Sequence, residues 1–117
     1  MRNIVLPLDR EEADDAFSIF YTAAFAGVGP KTVAESRKLG KLQDALEDLS
    51  YDEPTKNPQT GAPDTKRVIS SELKTIKMED AHWDTLKQRI FGAEIGWTAG
   101  MSRKLISAYE ILDGAEE

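Results

Sequence analysis

Cysteine is absent from this chain, which removes disulfides, thiolate zinc sites and cysteine nucleophiles, and fits a reducing, cytoplasmic setting. A single histidine, His82, is nearly as restrictive. Glu79-x-x-His82 has the spacing that helical di-iron sites use, but such a site needs a second copy of the motif and two further glutamates. With no second histidine, His82 is read as a surface residue beside an acidic helix start, and no metal or cofactor is expected. Long apolar runs are missing as well. None approaches the ~18 residues that span a bilayer, so no membrane role is expected. The opening MRNIVLPLDREE turns acidic too soon for a signal peptide. Basic charge is in deficit: a net charge of −6 and a pI near 4.8 argue against a general nucleic-acid binder.

What is present suits a folded chain. Hydrophobic residues make up 40% of 117 positions and charged residues 31%, enough for one modest core and one domain over residues 1–117. Leu39, Leu42, Leu46 and Leu49 recur at spacings of three, four and three, one stripe of a helix that starts after Thr32. Before it, Asp9 offers an N-cap, with Glu12 three residues on and Leu8 placed to staple onto Ala13. The first helix is predicted from about Arg10 to Ala26. Ala13, Ala16, Phe17, Phe20, Ala23 and Ala24 form its stripe, Ile19 widens it, and Tyr21 and Phe25 extend it around a second side. Gly27-Val28-Gly29-Pro30 ends that helix. Thr32 and Glu35 suggest a second capping box, and Gly40 inside the helix marks either a close contact or simple tolerance.

Asn3 to Leu8 reads as a short strand, confined to an edge by Pro7. Tyr51 to Lys66, with three prolines, a glycine and almost no apolar residue, reads as a flexible loop or hairpin excursion. The next stretch is ambiguous between helix and strand. The reading favoured is a short helix or irregular segment at Val68–Ser71, then a strand over residues 73–78 that pairs with the amino-terminal one. Trp83, Leu86 and Ile90 give a third helix ending before Gly92. Met101, Leu105, Ala108 and Leu112 give a fourth, closed by Asp113-Gly114 and followed by a frayed acidic tail. The fold expected is mainly α, with α+β as the alternative: four helices and a small two-stranded ribbon.

No catalytic constellation emerges. Gly27-x-Gly29 has no preceding strand, third glycine or lysine to make a phosphate loop. The serines lack a nucleophile elbow, and the adjacent carboxylate pairs diverge on a helix. Lys31, Arg37, Lys38 and Lys41 do gather at one end of the second helix. Residues 27–41 could therefore serve a helix-turn-helix-like DNA-binding regulator, against which the net charge stands. The other signal is aromatic. Phe17, Tyr21 and Phe25 on the first helix are candidate anchors for a protein partner or a homo-oligomer; Trp97, between Gly96 and Gly100, is read with Trp83 as a core or semi-buried packing residue, with an exposed interface anchor as the alternative.

The segment IKMEDAHWDTLKQRI, with Trp97 and the closing helix, resembles small accessory proteins of tailed bacteriophages over roughly the last 45 residues. There, a short strand leads into a helix with an L-x-D/E-D-x-aromatic-x-x-L pattern, then a tryptophan-bearing turn and a final helix. Met78 stands where that pattern has leucine. The resemblance implies a non-enzymatic protein–protein role in phage assembly or host takeover, as an adaptor, chaperone or inhibitor of a larger partner. It would place the chain in the host cytoplasm or the virion, and it carries over no functional residue.

Overall fold

A computed structural model describes residues 1–70 and 74–115 of the chain. In order, these form strand β1 (Arg2–Val5), helix α1 (Arg10–Phe25), helix α2 (Val33–Asp48), strands β2 (Ser50–Lys56), β3 (Pro63–Ile69) and β4 (Thr75–Met78), helix α3 (Asp80–Gly92), a 3-10 turn at Ala99–Met101, and helix α4 (Ser102–Asp113). Helix α1 is the centre: α2, α3, α4 and β3 all pack on it. Its small residues Ala13, Ala16, Ala23 and Ala24 let neighbours approach closely, while Phe17 and Phe20 are fully buried between them. Each such large side chain contributes about 1.5–3 kcal/mol by leaving water. Leu42 and Leu46 from α2, Leu86 and Ile90 from α3, and Leu112 from α4 complete the core.

Both amino-terminal caps form. Glu12 N donates to Asp9 Oδ1 at 3.0 Å, and Glu35 N donates to Thr32 Oγ1 at 3.1 Å. The second box closes one residue further back than expected, since Glu35 Oε2 accepts from Lys31 N at 2.8 Å. The hydrophobic staple does not form: Leu8 is 98% exposed. Gly40 meets nothing within 4 Å of where a Cβ would lie, so no close helix contact requires it.

The mainly α expectation is wrong, for the structure is mixed α+β. Among the described residues, helix accounts for 54% and strand for 20%, the strands lying in two small antiparallel sheets. In one, β1 pairs with β4, Ile4 facing Ile76. Alternate residues Ile4, Leu6, Ile76 and Met78 turn inward, the period-2 burial of a strand with one wet face. The second sheet is the correction. Residues 51–66, read as a flexible loop or a hairpin excursion, take the second form and add a sheet the expected fold lacked: β2 against β3, paired from Ser50↔Ile69 out to Lys56↔Pro63. Its turn is held by an Asx contact, Gln59 N to Asn57 Oδ1 at 2.9 Å, and by Gly61 N to Asn57 O at 2.7 Å. Gly61 takes φ +69°, a left-handed conformation open to glycine at little cost. Val68 and Ile69, expected in a helix or irregular segment, are instead the buried end of β3. Residues 71–73 of the ambiguous stretch, including Leu73, lie outside the described residues.

His82 is also corrected: it is buried, with Glu79 Oε2 4.0 Å from its Nε2. Ala115, expected in a frayed tail, is buried too. Residues 116–117 of that tail lie outside the described residues.

Candidate functional site

The corner between α1 and α2 is built by one side chain from α3. Helix α1 has no basic residue in its last turn to satisfy its terminal carbonyls. Arg89 reaches across instead. Its Nε donates to Ala23 O at 2.7 Å, Nη2 to Ala26 O at 2.8 Å and Nη1 to Val28 O at 3.0 Å. Gln43 Nε2 takes Ala24 O at 2.8 Å from the α2 side. A rigid fork of donors suits this task, and the positive charge is favoured at the negative end of the helix dipole. No carboxylate pairs with Arg89 among the described residues, and burial pulls its pKa below the usual arginine value.

This corner frames a cleft of about 450 Å³ between the Val28–Lys31 connection, the start of α2 and the end of α3. Val28, Leu39 and Ala93 give it apolar surface; Lys31, Lys38, Glu35, Gln88 and Arg89 give it polar surface. Neither Lys31 nor Lys38 has an ion-pair partner among the described residues, and the lining carries three cations against one carboxylate. In a protein of net charge −6, that concentration of positive charge is local and marked. Arg37 and Lys41, also exposed on α2, extend it.

The hairpin is the second candidate. From Tyr51 to Lys66 every residue is exposed except Thr55 and Asn57, which are half-buried. It is an arm reaching beyond the core, and the radius of gyration of 14.4 Å exceeds the ~13 Å of a compact domain this long. Its base is pinned. Arg67 donates from Nε to Ser50 Oγ at 2.7 Å and from Nη2 to Glu47 O at 2.9 Å, and pairs with Asp52 at 3.3 Å. From α1, Arg10 donates to the Ser70 and Ile69 carbonyls while Asp14 Oδ1 accepts from Ile69 N at 3.4 Å. Arg10 and Asp14, themselves 3.6 Å apart, thus stand in for a neighbouring strand at the foot of β3.

Hydrogen-bond parity along the arm says how it can be approached. Asn57 N donates to Ala62 O, and Ser70 N to Leu49 O. Antiparallel pairs alternate between bonded and non-bonded, so Pro54 and Pro63 both fall at non-bonded positions, whose backbone nitrogens face outward. Each outer edge of the arm therefore carries a proline where an approaching strand needs a donor, a known device against edge-to-edge pairing.

The aromatic candidates are divided by the fold. Phe17 is core and does not reach the surface. Tyr21 is half-buried, touched by Phe17 at 6.3 Å and stacked on Phe25 at 4.4 Å, with the Arg67 guanidinium 5.6 Å over its ring. Phe25 is 43% exposed. Trp97 lies apart from these, half-buried against the core with Nε1 donating to Ile90 O at 2.7 Å. Arg89, Thr85 and Gln88 were not singled out in the sequence, where nothing marks α3 as the donor to another helix. The arm did leave a trace, in the Asn57-Pro58 and Thr60-Gly61 turn pairs.

No protein-family model, curated protein or solved structure matches this chain. Among the described residues, no group of three or more histidine or acidic side chains is placed to hold a metal ion, and no helix is long and apolar enough to cross a membrane.

Proposed function

We propose that the chain is a non-catalytic interaction protein, an adaptor, chaperone or inhibitor that grips a larger protein through the β2–β3 arm. The observation that carries this reading is an arm held in register and pinned at its base, yet exposed along both faces. A hairpin with nothing packed on it gains little stability of its own, so ordering it this firmly is understandable as preorganisation for a partner. With a proline blunting each edge, the grip is through side chains: Tyr51, Glu53, Thr55 and Lys66 rather than strand addition. The resemblance of roughly the last 45 residues to small accessory proteins of tailed bacteriophages implies a non-enzymatic protein–protein role as well.

A photo-cross-linking residue at Thr65 tests it, with one at the exposed Ser107 on α4 as the control. In cells of the native host, the arm position should give a discrete adduct that the α4 position does not. An arm that yields only the diffuse adducts of the control would end this reading. One observation favours a second reading, a helix-turn-helix-like DNA-binding regulator: Arg37, Lys38 and Lys41 project from α2 into solvent. An electrophoretic shift series across salt concentration addresses it directly.

A further inference from the structure

The cleft at the α1–α2 corner lies at the other end of α2 from the arm, about 24 Å away along a 16-residue helix. We propose that this cleft binds an acidic peptide segment of a protein partner, with carboxylates facing Lys31 and Lys38 and an apolar side chain between Val28 and Leu39. The volume, about 450 Å³, falls in the ~300–1,000 Å³ range of ligand clefts. Charge selects the class of ligand. Lys31 and Lys38 are exposed and, among the described residues, have no ion-pair partner, while Arg89 is held by the Ala23, Ala26 and Val28 carbonyls. The one acidic group in the lining, Glu35, is already engaged by the Lys31 amide.

A nucleic acid fits less well. Beyond Lys41 the surface of α2 turns acidic through Asp44, Glu47 and Asp48, so an extended polyanion would meet repulsion within two turns. A short acidic segment stays inside the basic zone. The apolar surface of Val28, which is 39% exposed, at the edge of the buried Leu39, also has a use for a peptide side chain and none for a phosphate backbone.

The probe is a capped octapeptide of alternating glutamate and leucine, titrated into the isotopically labelled full-length chain and followed by amide chemical shifts. Shifts should concentrate at Gly29, Lys31, Thr85, Gln88 and Gly92. The Lys31→Glu/Lys38→Glu variant, which touches no structural hydrogen bond of those side chains, should weaken binding by roughly ten-fold or more, two surface ion pairs being lost and reversed. Lys104→Glu, on α4, should leave binding unchanged, as should excision of the arm. That last result keeps the cleft and the arm separate: either can fail without the other. No shifts at about 1 mM peptide, the weak limit of useful recognition, would overturn the proposal. So would equal binding by the charge-reversed variant. Tighter binding of a duplex DNA, lost in that same variant, would overturn it in favour of nucleic acid.

Discussion

The amide of Val28 donates to the carbonyl of Ala93 at 2.7 Å, tying the end of α1 to the end of α3 across 65 positions of sequence. The bond requires the residue before it to be glycine. Gly27 has φ +83°, and a Cβ there would collide with the Ala93 carbonyl oxygen and come within 2.7 Å of Ile95 Cγ1. Gly27→Ala should therefore destabilise the fold by at least about 2 kcal/mol, the left-handed strain and the clash acting together. Gly29→Ala, with nothing within 4 Å, is the control and should cost far less. Urea midpoints of the two variants check this.

Arg89→Ala should cost about 2–4 kcal/mol, because the buried Ala23 and half-buried Ala26 carbonyls lose a charged donor at once, along with the exposed Val28 carbonyl. Arg89→Lys should recover little. An ammonium cannot reach Ala23, Ala26 and Val28 together as the planar fork does. Recovery of most of the stability by lysine would mean that charge at the helix terminus matters, and the hydrogen-bond geometry does not.

The arm should be dispensable for folding. Glu53↔Lys66 is a hydrogen-bonded pair by the parity of the ladder, the type that a two-residue turn can close. Replacing Pro54–Thr65 with Asn-Gly keeps Arg67, Val68 and Ile69 in place and removes only exposed or half-buried residues. Stability should change by less than ~1 kcal/mol, within the usual range for surface changes. A larger loss, seen in thermal or denaturant melts, would show that the outer arm packs on the core.

Lys87 sets an alkaline limit. Its Nζ lies 2.8 Å from Asp113 Oδ1 and 4.4 Å from the Trp83 ring centroid. The hydrogen bond to Asp113 and the charge of Asp113 and Tyr109 outweigh burial and raise its pKa. A raised folded pKa means the stabilisation is complete below the unfolded lysine value of ~10.4 and is lost as pH climbs through the folded one. Asp113 is largely exposed, so the contribution is under about 1 kcal/mol. The gap in urea midpoint between wild type and Lys87→Met should stay constant up to about pH 10, then narrow. A gap that persists unchanged to higher pH would trace it to the packing of the lysine stem on Trp83.

The four helices and most of their buried faces are determined locally. The stripe Ala13, Ala16, Phe17, Phe20, Ala23 and Ala24, the heptad-like Leu39, Leu42 and Leu46, and the caps at Asp9 and Thr32 need only helical periodicity and short-range hydrogen bonds, both readable from neighbouring residues. The pairing of β1 with β4 shows as well in the alternation of apolar side chains. The arm does not. Its strands carry Asp52, Glu53, Pro54, Lys56 and Asp64, poor strand formers with no apolar alternation, and the hairpin stands because Arg67, Arg10 and Asp14 pin its base through contacts up to 60 residues apart. His82 carries no mark in sequence of the depth at which it lies. Tertiary structure alone decided how far the second side of α1 is covered, leaving Tyr21 half-buried and Phe25 at the surface while Phe17 in the main stripe is core. It alone brought Arg89 to the end of α1 and opened the basic cleft, since a helix terminus states that its carbonyls need donors but not which distant side chain will supply them.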